Sequence, residues 1–151
     1  MNILIKFPSR GRPDKFRQAL DQYLNLQSKK HNLSFICSFD IDDTYMNNEA
    51  MKEYLNQYLN IQYFYGNSSN KIEAINANMD AADTFDILIL AADDLFPIID
   101  NYDDIIITDM MKAYPDMDGM LHYMNPSWGD RLDIGCIMTY YYYKRLSLIH
   151  I

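Results

Sequence analysis

The sequence predicts an α/β domain of three layers, α/β/α, around a mainly parallel sheet. Three observations lead there. Short apolar runs alternate with stretches whose apolar residues recur at helical spacing, the pattern of strands joined by crossover helices. One run, DILILA at residues 86–91, is apolar on both strand faces, as a central strand covered by helices on each side must be. The runs give way to loops rich in Pro, Gly, Asn, Ser and Asp, the residues that end strands. With 151 residues and 49% hydrophobic content, the chain suffices for one domain with a substantial core, and residues 1–151 are expected to form that single domain.

The first strand is residues 2–7, NILIKF, closed by Pro8, Ser9, Arg10, Gly11 and Arg12. Pro13 suits the first turn of a helix, where its missing N–H is no loss, and Phe16, Leu20, Tyr23 and Leu24 follow at i, i+4, i+7 and i+8. Residues 33–39, LSFICSF, make the second strand, followed by an acidic loop and by Met51, Tyr54, Leu55 and Tyr58 at helical spacing. Residues 61–65, IQYFY, make the third. Asn70 with Glu73 three residues later has the form of a capping box, so a helix is expected from Lys71 to about Ala82, burying Ile72, Ile75 and Met79. The central strand opens into Ala92, Asp93 and Asp94. A helix over 105–114 follows, with Asp103 and Asp104 placed to complement its dipole. Strands at 117–124 and 133–138 and a short helix at 140–146, whose four tyrosines pack half-buried, complete the chain. Right-handed crossovers between such strands give a Rossmann-like sheet, in which ligands bind beyond the carboxyl ends of the strands. That rule gathers four loops, residues 8–12, 40–43, 68–71 and 92–94, at one place.

The formal net charge of −8 excludes a general nucleic-acid binder. The charge is uneven: residues 1–17 carry Lys6, Arg10, Arg12, Lys15 and Arg17 against Asp14 alone, leaving 8 basic and 20 acidic residues in the remainder. A basic loop in an acidic body suits a phosphate-bearing ligand held partly through a divalent cation. Lys15 and Arg17 fall on the solvated face of their helix, whereas Arg10 and Arg12 lie in a loop. No apolar run reaches 18 residues and no signal peptide opens the chain, so a cytoplasmic protein without a membrane segment is expected. Cys37 and Cys136 sit in apolar runs and read as core residues. His31, His122 and His150 lack ligand spacing, which argues against a histidine zinc site.

Two constellations carry chemistry. Asp93 and Asp94, adjacent at the mouth of a buried strand, are costly unless a cation neutralises them, and Mg²⁺ or Mn²⁺ fits such oxygen donors; the bland reading is that one of them caps a turn. The second is FDIDDT at residues 39–44. In a haloacid dehalogenase-like phosphatase Asp40 would be the nucleophile and Asp42 the acid/base, with Ser68, Lys71 and Asp93 or Asp94 completing a Mg²⁺ site. Against this, a whole strand, loop and helix precede FDIDDT, and Ser68 and Lys71 share one loop where separate elements should supply them.

The order of Pro8-Ser9-Arg10-Gly11-Arg12-Pro13, Asp40, Lys71 and Asp93-Asp94 resembles the family 2 glycosyltransferases of GT-A fold, and most closely short phage and viral members. The resemblance implies a domain that transfers sugar from a nucleoside-diphosphate sugar, a UDP-sugar first, to an unknown acceptor. Pro8, Ser9, Arg10 and Arg12 would line the nucleotide pocket, Asp40 would accept from the base, Asp42 or Asp43 would lie near the ribose, and Lys71 would face the diphosphate. Asp93 and Asp94 would hold Mn²⁺ or Mg²⁺. Ala91 stands where the family pattern has a further carboxylate. The family's general base lies in a segment past the helix at Tyr140, so Asp130 and Asp133, beside Trp128, are the candidates within this chain. A relative that binds a nucleotide or protein partner without catalysis is the non-enzyme alternative, and an oligomer or partner completing the site is compatible with it.

Overall fold

The computed structural model describes residues 1–123 and 135–149. They form a six-stranded sheet in the order β3-β2-β1-β4-β6-β5. Strands β1 (Asn2–Pro8), β2 (Asn32–Asp40), β3 (Ile61–Gly66) and β4 (Ile87–Leu90) are parallel, and β6 (Ile137–Thr139) runs antiparallel to β4 and to β5 (Met120–Leu121). Helices α1 (Pro13–Asn25), α2 (Glu49–Leu55), α3 (Lys71–Asn76), α4 (Tyr102–Ala113) and α5 (Tyr140–Ile149) lie between and after them. The chain winds from β1 outward to β3, then returns to place β4 on the other side of β1. The loops leaving β1 and β4 therefore diverge at a topological switch point, where open α/β sheets bind ligands.

Strand alternation sorts the core into two layers. Ile3, Ile5 and Phe7 of β1 and Phe35, Cys37 and Phe39 of β2 pack with Phe16, Leu20 and Tyr23 of α1, Met51 and Leu55 of α2, and Ile106 and Met110 of α4. Ring contacts tie this layer, with Phe7 and Phe16 centroids 4.6 Å apart and Tyr23 to Tyr102 5.6 Å. Leu4, Ile36, Leu88 and Met138 point the other way, against Phe85 and the tyrosines of α5. Phe85 meets Tyr140 and Tyr143 edge-on or tilted at 5.3 and 5.9 Å, so the tyrosine run is mainly packing, with Tyr141 outside it. Cys37 is fully buried, its thiol pushed up to about 12, and no disulfide forms. Among the described residues no helix is long and apolar enough to cross a membrane.

Two sequence expectations need correction. The helix expected to reach Ala82 stops at Asn76, resumes as a 3₁₀ turn over Met79–Ala81, and buries no residue fully; Ile72 is 72% exposed. Its continuation fails because Ala77 is extended and Asn78 left-handed (φ 62°), while the Ala77 carbonyl accepts a hydrogen bond from the Lys6 ammonium at 2.7 Å. The strand at 117–124 shrinks to Met120–Leu121 within the described residues, since Met117 takes a positive φ of 56° that breaks extended backbone. Asp103 and Asp104 lie in the first turn of α4, as expected for residues that complement its dipole, and they also act across the molecule. Asp103, fully buried, accepts from Ser28 N and Oγ, both at 2.7 Å, and Asp104 pairs with Lys30 and His31. They staple the α1–β2 connection to α4.

Replacing Asp103 by Ala strands the Ser28 N–H and hydroxyl and should lower stability by about 2 kcal/mol. Urea denaturation checks this, with Asp104→Ala expected to cost less, because its partner Lys30 is solvated and Asp104 itself is about a third exposed.

Candidate functional site

The carboxyl ends of β1, β2 and β4 and the start of α3 enclose a cleft of about 620 Å³, within the range of small-molecule sites. Pro8, Ser9, Arg10, Arg12, Asp40, Asp42, Lys71, Asp93 and Asp94 all line it. Nine of the ten residues singled out from sequence thus meet at one opening. The tenth, Asp43, sits behind it: 5% exposed, it accepts from Gly11 N at 2.6 Å and from Tyr45 N at 3.1 Å. Gly11 takes φ +69°, which glycine adopts without strain, and this turn aims its N–H at Asp43. Asp43 therefore pins the basic loop to the acidic loop.

Further bonds hold the loop backbone. Ser9 N donates to Ser38 O at 3.2 Å, and Ser9 Oγ donates to Asp93 Oδ2 at 3.2 Å. Arg10 forks onto both oxygens of Asp42, each at 3.0 Å, and also bonds Asp40 Oδ2. The guanidinium holds the Asp42 carboxyl below the usual range, and Arg10 itself is raised by Asp42 and then Asp40. Asp40 Oδ1 accepts from Ser68 N at 3.2 Å, so this carboxylate bridges two loops. Arg12 Nη2 lies 2.8 Å from Asp93 Oδ1, yet that buried oxygen has no donor aligned on it. Asp94 beside it is exposed. Lys71 is also exposed, at the first position of α3, where Asn70 caps the helix as expected by accepting from Glu73 N at 3.0 Å, while Glu73 reaches back one residue past the cap and accepts from Ser69 N at 2.7 Å.

Sequence reading missed Lys6. It is fully buried under the cleft, donating to Ser38 Oγ and to Ala77 O, and burial lowers its pKa to about 8. Ser38 Oγ in turn donates to Asn78 Oδ1 at 2.9 Å. The available signal was a single lysine inside the apolar run NILIKF. Trp128, Asp130 and Asp133 lie outside the described residues.

Three cations, Arg10, Arg12 and Lys71, face four carboxylates, Asp40, Asp42, Asp93 and Asp94, around the cleft. An anionic ligand would need further positive charge. The pair Asp93 and Asp94 suits a hard divalent ion, because Asp93 Oδ1 is buried without an aligned donor and Asp94 is open to the cleft. Among the described residues no cluster of three or more Asp, Glu, His or Cys forms. Such an ion would take one or two protein carboxylates and fill its remaining positions with water and phosphate oxygens, as Mg²⁺ does.

Neither a protein-family model nor a curated protein matches this chain. Solved structures do. Residues 1–349 of S. aureus TarS superpose with a TM-score of 0.62 at 12% identity, over 92% of this chain and 47% of that one. The same TarS segment in complex with UDP-GlcNAc gives 0.63 at 14%, over 88% and 37%. The glycosyltransferase GlyE of Streptococcus pneumoniae TIGR4 gives 0.57 at 9%, over 99% and 36%. The 4-diphosphocytidyl-2C-methyl-D-erythritol synthase of Anaerococcus prevotii DSM 20548 gives 0.58 at 14%, over 96% and 75%. The chain spans about half or less of the TarS and GlyE chains. At these identities the likeness defines the fold, a GT-A-type glycosyltransferase fold.

Proposed function

We propose that this domain binds a nucleoside-diphosphate sugar, a UDP-sugar first, and transfers the sugar to an acceptor. The observation that carries the reading is the convergence of two arginines, a lysine and four carboxylates on one cleft at the switch point of a GT-A-type sheet. The UDP-GlcNAc held by TarS, which shares the fold, supports it. Asp40 accepts from the base N–H and Asp42 from the ribose hydroxyls. Arg12 and Lys71 face the diphosphate, and Asp93 with Asp94 hold Mn²⁺ or Mg²⁺. A cation there supplies charge that offsets what builds on the departing nucleoside diphosphate. The protein's own residues orient the donor: a carboxylate aimed at each polar edge of the nucleoside, guanidinium and ammonium at the phosphates.

The phosphatase alternative is not favoured. The matching structures carry the GT-A-type sheet, and Ser68 and Lys71 flank the start of one helix, α3, instead of coming from two separate elements as the phosphatase site requires.

A thermal-shift panel of UDP, GDP, CDP and a simple phosphomonoester, each with and without Mn²⁺, tests the reading. UDP with Mn²⁺ should stabilise the protein by about 2.7 kcal/mol at a hundredfold excess over its dissociation constant, a rise of several degrees. Asp93→Ala should remove it. A flat response to every nucleoside diphosphate would refute the proposal.

A further inference from the structure

The geometry points to Arg10 as a ligand-exchanged gate: its guanidinium sits on the two carboxylates of the nucleoside subsite and is driven off them, onto phosphate, when the nucleotide binds. The inference rests on the nucleotide reading above.

Two observations put Arg10 on that subsite. Arg10 engages the acceptor atoms that a nucleoside would use, bonding Asp40 Oδ2 and forking onto both Asp42 oxygens at 3.0 Å. Arg10, Asp40 and Asp42 all line the cleft, so the contact lies inside the site. A base N–H and ribose hydroxyls arriving at these carboxylates compete with a bidentate guanidinium for the same lone pairs.

The pair is built to open. The Arg10–Asp42 contact is the easier half to open, its side chains 56% and 67% exposed, because ion pairs so solvated contribute little; Asp40 is only 14% exposed, so its pair with Arg10 is the firmer hold and the one that the arriving base N–H must replace. The backbone beneath is fixed: Gly11 N is held by the buried Asp43, Ser9 N by Ser38 O and Ser9 Oγ by Asp93. The loop therefore stays while the side chain swings. A guanidinium leaving two carboxylates needs an anion, and a diphosphate offers oxygens in the fork geometry that arginine matches. A nucleoside without phosphates offers none. Arg10 thus penalises a bare nucleoside and rewards a nucleoside diphosphate, a discrimination made by one side chain in two positions.

Calorimetry and ligand-observed NMR with uridine and UDP, on the unaltered protein and on Arg10→Ala, test this, with the base replaced by whichever the panel selects. The expected result is opposite in sign for the two ligands. Arg10→Ala should bind uridine about threefold to tenfold tighter, because the two carboxylates are released, and UDP about tenfold weaker. Salt gives a readout on the unaltered protein: uridine binding should strengthen from 20 to about 300 mM NaCl as the Arg10 pairs are screened, and should not strengthen in Arg10→Ala. Weakening of both ligands together would overturn the gate and leave Arg10 as a contact of uniform value. Equal affinities in the two proteins would also overturn it. Failure of the unaltered protein to bind any nucleoside diphosphate would overturn the nucleotide reading and the gate with it.

Discussion

Arg12→Ala is expected to lower stability in metal-free buffer by about 1–3 kcal/mol, with Mn²⁺ then recovering most of the loss. Asp93 is the reason. Its side chain is 2% exposed, its Oδ1 has no aligned hydrogen-bond donor, and the Arg12 guanidinium 2.8 Å away is the positive charge beside it. Removing the partner of a buried charge typically costs 3–5 kcal/mol, but Arg12 is half exposed and water can follow it out, which brings the figure down. A cation at Asp93 must contend with the Arg12 charge, so Arg12→Ala should also bind Mn²⁺ about tenfold more tightly than the parent protein. Thermal melts in EDTA and across a Mn²⁺ series measure both. Equal Mn²⁺ responses in the two proteins would mean that Asp93 is not a cation site, and the chelation assigned to Asp93 and Asp94 would fall.

Arg12 on Asp93 and Arg10 on Asp40 and Asp42 repeat one arrangement. Three of the four carboxylates that the nucleotide reading needs, Asp40, Asp42 and Asp93, are paired from within by an arginine of the same six-residue stretch, residues 8–13, and Asp94 stays open to the cleft. These pairs keep the carboxylates of the cleft from facing one another unpaired, and they keep two guanidinium groups at its mouth. Sequence alone gave the two sets of residues but not their pairing, since Arg10 and Asp42 are 32 positions apart and only the parallel β1–β2 register brings them together.

What could be read ahead of the structure follows from physical range. Strands β1, β2 and β4 were legible because burial on both sheet faces leaves continuous apolar runs, and α1 because Phe16, Leu20 and Tyr23 mark one helical stripe. The four loops could be gathered by topology before any contact was known. Long-range polar contacts could not. Asp103 was legible as a residue that complements the α4 dipole, but its bonds to Ser28, 75 residues away, were not. Asp43 read as a ribose contact beside Asp42, although a one-residue step turned it inward onto Gly11. Helix α3 was overrun for the same reason: a local capping signal starts it correctly at Lys71, and a distant lysine helps stop it.

That lysine yields the second large effect. Lys6→Ala should lower stability by about 3–5 kcal/mol, through a cavity beneath the cleft and through the Ser38 hydroxyl and Ala77 carbonyl losing their donor. Lys6→Met keeps the volume and isolates the polar part, so its loss should be smaller. The pH dependence then distinguishes a buried charge from mere packing. Burial lowers the folded-state pKa of Lys6 to about 8 from the model-compound 10.5, so between those values the unfolded chain binds more protons than the folded one. The penalty for burying the charge is fully present below pH 8 and is relieved as pH rises through that window, so the parent protein should gain stability relative to Lys6→Met from pH 8 to 10.5. The Cys37 thiol, pushed up to about 12 by burial, an effect that Lys6 partly offsets, makes stability fall with pH over part of the same range, so both proteins are compared in a Cys37→Ala background that removes it. Urea midpoints at pH 7, 8, 9 and 10 supply the comparison, and parallel curves would show that Lys6 carries no buried charge. Because Lys6 also fixes Ala77 at the end of the helix that presents Lys71, Lys6→Met should weaken UDP binding at pH 7 while leaving the Arg10 and Arg12 pairs intact, a loss that packing alone would not produce.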